Sequence, residues 1–89
     1  MSIGLCMSKI AEYQSKHADA LSEVDGIQGE LLAASESGNR DPEIKQKTRQ
    51  LAAKQAIVRM LADFLGFWKD ALKSILEMLK SLNELAFGR

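Results

Sequence analysis

Covalent chemistry needs a base, a nucleophile or a set of metal ligands that converge in space. This 89-residue chain supplies one histidine, His17, one cysteine, Cys6, and carboxylates scattered singly. Together Cys6 and His17 would make a thiolate nucleophile and its base. They are, however, eleven residues apart on one helical seam, which is about 16 Å along a straight helix and too far for a proton to pass between them. His17 therefore reads as a partly exposed seam residue and Cys6 as a small apolar filler. A lone cysteine makes neither an internal disulfide nor a Cys-rich zinc site. We expect no catalytic residue, no metal and no cofactor, and hence not an enzyme.

The remaining charged residues point to solubility rather than to a site. Asp63, Asp70 and Glu77 recur at intervals of seven on the outer side of a long helical pattern, as a solvated face does. Arg59, Lys69, Lys73 and Lys80 lie at spacings suited to ion pairs within that helix or between subunits. Lys plus Arg and Asp plus Glu both total 12, and neither sign gathers into a run, so no field draws nucleic acid or acidic lipid. The opening MSIGLCMSK lacks the basic start and small-residue cleavage site of a secretory signal, and the single cysteine suits a reducing cytosol. No stable membrane span is expected. Arg59, Asp63, Lys69 and Asp70 interrupt the most apolar region, where a span needs about 20 apolar residues. An amphipathic membrane helix would carry a basic polar face, and this polar face is mixed.

The elements are all helical, and the fold class is an all-α antiparallel hairpin with a long second helix that assembles by coiled-coil-like packing. The whole chain forms one domain. A first helix is expected from about Ser8 to Ser35, with the first seven residues extending it or fraying. Its seam repeats as Ile3, Ile10, His17, Val24 and Leu31, alternating with Cys6, Tyr13, Ala20, Ile27 and Ala34. Gly26 and Gly29 each weaken it by roughly 1 kcal/mol relative to Ala. Residues 35–41, SESGNRD, hold the cluster of turn residues, with the turn itself placed at 36–41. Asp41-Pro42 reads as a cap followed by proline at the first helical position. The second helix then runs from Pro42 to about Phe87. Its seam is Leu51, Val58, Leu65, Leu72 and Leu79, with Leu61, Trp68, Ile75 and Leu82 three places after the last four of these. Folding the chain about Asn39 sets residue i opposite residue 78 minus i. The first helix thus covers the second only to about Ile75, and the segment from Leu76 to Phe87 projects roughly 18 Å with no intrachain partner.

A second stripe, Ile57, Phe64, Ala71, Met78 and Leu85, runs beside the seam, and Met60 and Phe67 are apolar in a third direction. Trp68 is read as hairpin core, a reading also open to Phe64, and Phe67 as facing another chain. One partner helix closes one seam, so the surplus points to self-assembly or to a partner. The expected interface is Phe64, Phe67, Trp68, Leu72, Leu76, Met78, Leu79, Leu82, Leu85 and Phe87.

On the turn ending Asn39-Arg40-Asp41-Pro42 and on Trp68-Lys69-Asp70-Ala71-Leu72-Lys73-Ser74-Ile75-Leu76, the chain resembles the small helical-hairpin proteins of bacterial type III secretion systems, the needle subunits most of all. Those subunits often have an Asn-Pro or Asp-Pro turn and, somewhat under thirty residues later, Lys-Asp followed by an apolar pattern, as Lys69 and Asp70 follow Pro42 here. The likeness covers about residues 35–79, and the chain continues about ten residues past where a needle subunit ends. The resemblance implies a structural subunit that self-assembles into a helical filament or tube, cytoplasmic before export and then secreted or at the cell surface. Asp41-Pro42 with Gln46 and Thr48 is also similar to the small export chaperones of the same apparatus. The alternative they imply is a cytosolic chaperone or adaptor that binds a secretion-apparatus protein through its second helix. An inner-rod or filament subunit of the same apparatus is a third possibility.

Overall fold

A computed structural model describes residues 1–36 and 41–87. Helix α1 spans Ile3–Glu36 and helix α2 spans Asp41–Phe87, with no strand among the described residues. The expected turn at 36–41 falls largely on residues 37–40, which lie outside the described residues, as does the side chain of Asp41, expected as the cap.

Helix α1 starts at Ile3, five residues before the expected Ser8, so the first residues extend the helix rather than fray. Ser2 is the reason. Its Oγ accepts a hydrogen bond from the Leu5 N–H at 3.0 Å, and its carbonyl accepts one from the Cys6 N–H at 3.1 Å. The serine thereby satisfies amide donors that a helix start leaves orphaned. The early start brings Cys6, at 0% exposure, into the core. That burial anchors the first turn despite the helix-weakening Gly4 within it.

Among the described residues, side-chain pairs that bridge the helices include Glu30 with Lys47, Glu23 with Lys54, and the rings of Tyr13 and Phe64. In each pair the residue numbers add to 77. A constant sum is the signature of antiparallel neighbours, and residue i of α1 stands level with residue 77 minus i of α2. Lys47 and Lys54 occupy places in the α2 seam where later turns carry Leu61 and Trp68. The half of the seam nearer the turn is therefore partly ionic, with lysine stems lying on the apolar surface. Exposed pairs of this kind contribute about 0.2 to 1 kcal/mol each, so their larger effect is to favour this register over its neighbours.

All ten α1 seam residues are buried or half-buried, joined on that helix only by Lys9 and Glu12. On α2 the seam is covered from Leu51 to Ile75, and every residue from Leu76 to Phe87 is exposed. Helix lengths explain the change. The 47 residues of α2 extend about 70 Å at 1.5 Å per residue, close to the 72 Å long axis of the molecule. The 34 residues of α1 reach only about 51 Å. Among the described residues the core proper is Cys6, Ala20, Val24 and Leu61. Two helices touching along one line bury little more than that, which is the general weakness of a chain this small.

Candidate interaction surface

The residues with chemical potential do not converge. Cys6 is a free, fully buried thiol, and His17 is half-buried about three turns away on the same helix. Among the described residues no group of three His, Cys, Asp or Glu side chains could hold a metal ion. Glu12 carries a clear electrostatic signature. It accepts a hydrogen bond from Lys16 Nζ at 3.0 Å and another from Lys9 Nζ at 3.4 Å. These two ammonium groups, Lys16 first, hold its carboxyl below the usual carboxylate range. Lys9 and Glu12 are half-buried on the flank of the seam and Lys16 is exposed, so this is an ion triad along one side of the helix.

The surface that stands out is apolar, and it has two parts. In the first, Tyr13 and Phe64 face each other at 5.5 Å between ring centroids with a 35° tilt. Phe67 meets Trp68 edge to face at 5.2 Å and 84°. With Asp63 these four rings line an open hollow of about 430 Å³, and Lys16 Nζ lies 5.4 Å from the Tyr13 ring centre. Phe67 is expected on the side away from α1 and is 56% exposed, yet its ring reaches round to the half-buried Trp68. Neighbouring residues on a helix are about 100° apart, and two large rings span that arc. Phe64 belongs to the second stripe and also touches α1 through Tyr13.

The second part is the uncovered end of α2. Leu76, Met78, Leu79, Leu82, Leu85 and Phe87 are all exposed, Leu85 at 85% and Phe87 at 81%. Leu72, half-buried, lies where coverage by α1 is about to end. On one flank Lys69, Leu72, Lys73, Leu76, Glu77 and Lys80 line a shallow groove of about 350 Å³. The heptad reading places Tyr13 only in the seam and offers the lysines only for ion pairs within the helix or between subunits. The aromatic contact and the lysine-walled groove depend on how side chains lean across the hairpin, which spacing alone does not encode. A third exposed row, Met7 and Leu21 on α1, is fourteen residues apart with Gln14 between, and that interval was its only signal.

Among the described residues no helix is long and apolar enough to cross a membrane. Comparison with protein-family models, with curated proteins and with solved structures finds no match.

Proposed function

We propose that the chain is a structural subunit that assembles with copies of itself through α2 into a helical filament or tube, in the manner of the type III secretion needle subunits it resembles. One observation carries this reading. The α2 seam that α1 covers as far as Ile75 continues at the same spacing into Leu79 and Leu82, both in water. Around it Leu76, Met78, Leu85 and Phe87 widen the apolar face beyond what one helix can close. A soluble monomer has no use for such a face, because contiguous exposed apolar surface marks an interface. The mechanism is packing. Helix α1 stiffens the turn-proximal part of α2, the free end and the Phe67 flank supply contacts between subunits, and the mixed charges of the outer face keep the polymer soluble.

A second reading is the small cytosolic chaperone or adaptor, favoured by the aromatic hollow at Tyr13, Phe64, Phe67 and Trp68. A hollow of about 430 Å³ suits an apolar anchor from another protein's helix. Light scattering and negative-stain imaging of the purified protein over a concentration series separate the two. Fibres that lengthen with concentration support the subunit. A discrete one-to-one complex with a coexpressed neighbour, and no fibres, supports the adaptor.

A further inference from the structure

The charges of this chain cancel in sum but not in place. From Asp19 to Glu36 on α1 the charged side chains are all acidic: Asp19, Glu23, Asp25, Glu30 and Glu36. From Lys45 to Arg59 on α2 they are all basic: Lys45, Lys47, Arg49, Lys54 and Arg59. No two of these are adjacent in the sequence, and only the hairpin brings the two sets together. By the constant of 77, Lys45 is level with Leu32 and Arg59 with Ala18, so the acidic length of α1 lies along the basic length of α2. Packed helix axes are about 8 to 10 Å apart, within the roughly 10 Å over which charges act at 0.1 M salt. Glu23 with Lys54 and Glu30 with Lys47 close into direct contact. The first half of α1 has no such bias, since Lys9, Glu12 and Lys16 pair among themselves.

Opposite charge acts where apolar packing is thinnest. The buried residues of α1 are Cys6, Ala20 and Val24, and beyond Val24 only Ile27, Leu31 and Ala34 reach half-burial. On the facing part of α2, residues 42–52, Ile44, Lys47 and Leu51 do the same. Neither segment contains an aromatic ring. The backbone of α1 is also weakest here. Gly26 and Gly29 both lower helix propensity, and a Cβ at either would meet nothing within 4 Å, so no neighbour closes over these turns. Glu36 puts a negative charge at the negative end of the helix dipole, and no basic side chain in the last turn offsets it. Helical segments shorter than about 12 to 15 residues are marginal without a partner, and residues 25–36 fall at that limit. The facing part of α2 has no glycine and runs on into the well-covered middle of its helix.

We propose that residues 25–36 of α1 are a salt-sensitive latch. The segment uncoils from α2 as a unit while α1 from Ile3 to Val24 stays packed, and the acid-on-base clasp holds it shut. Opening uncovers Ile44 and Leu51 of the α2 seam and frees the basic length beside them, so ionic strength sets how much of that seam is available. The latch goes beyond the assembly reading and does not depend on it.

The test is hydrogen exchange of the full chain, resolved to single amides by mass spectrometry at concentrations below assembly. The amides of Gln28 and Leu32 are expected to share one protection factor, about tenfold or more below that of Ala20, as a locally opening unit does. Raising salt from about 0.01 M to about 1 M shortens the screening length from about 30 Å to about 3 Å and should lower protection at Gln28 and Leu32 about threefold or more. Glu23→Gln combined with Glu30→Gln should lower it already at low salt and remove most of the salt response. Gly26→Ala combined with Gly29→Ala should raise it about tenfold or more. Protection equal to that of Ala20, a graded fall from Gln28 to Glu36 as in simple fraying, or no gain in the alanine variant overturns the opening unit. Protection that ignores salt, or a salt response undiminished in the glutamine variant, overturns the clasp.

Discussion

The ring of Tyr13 on α1 lies 5.5 Å from the ring of Phe64 on α2, tilted by 35°, and this pair marks the border between what the hairpin buries and what it leaves in water. Phe64 is 43% exposed although one face of its ring is occupied. Beyond it Phe67 leans on Trp68, and past Ile75 the α2 stripe continues without cover from α1. The hairpin therefore holds its aromatic residues half-finished, packed on one side and open on the other.

That contact is expected to be measurable. Aromatic pairs at this separation contribute about 0.5 to 1.5 kcal/mol beyond their buried area. A double-mutant cycle of Tyr13→Ala and Phe64→Ala, read by urea unfolding at concentrations below assembly, should return a coupling of that size. A coupling near zero would mean that the rings are neighbours without mutual stabilisation.

Helix α1 is softer than it needs to be. A Cβ added at Gly26 or at Gly29 would meet nothing within 4 Å, so alanine there fits without a clash and removes the backbone entropy that glycine costs in a helix. Each of Gly26→Ala and Gly29→Ala should raise unfolding stability by roughly 1 kcal/mol. A lower urea midpoint for either would place an unseen contact at that position.

Acid sensitivity should include a contribution from Glu12. Its carboxyl is held below the ordinary value by hydrogen bonds from Lys16 and then Lys9. The stability this gives is present above the unfolded-state pKa, about 4.3 for a glutamate, and is lost as the pH falls through the lowered folded value. The triad is in contact with solvent, so the contribution is small. Glu12→Gln should be less stable than the parent at neutral pH and should approach it at low pH. A gap that widens on acidification would reverse the sign of the argument.

Much of this arrangement is legible in the sequence because heptad spacing reports geometry directly. The ten seam residues of α1 identify its covered face, and a turn near Asn39 gives a register within one residue of the observed one, so the uncovered end of α2 can be located near Ile75. The start of α1 is harder to read. Gly4 argues for fraying, and only the cap at Ser2 together with the burial of Cys6 reverses that argument. Phe64 is legible only in part, since a place in the hairpin core is one reading of it but nothing in its spacing names the Tyr13 ring that leans across to meet it. The groove beside Leu72 and Leu76 is made by lysine stems, and a pattern of apolar letters passes over them.

The central claim is that α2 carries an interface between chains on its uncovered end. Sedimentation velocity of the parent and of the double variant Leu82→Ser with Leu85→Ser tests it most directly. The two leucines are 53% and 85% exposed and beyond the reach of α1, so replacing them should leave the hairpin helical by circular dichroism. Burial of each large side chain contributes roughly 1.5 to 3 kcal/mol, enough in pairs to decide association against its entropic cost. The account predicts a parent that assembles with rising concentration and a double variant that sediments as a helical monomer. A double variant that assembles like the parent, or a parent that remains monomeric at high concentration with no partner present, would contradict it.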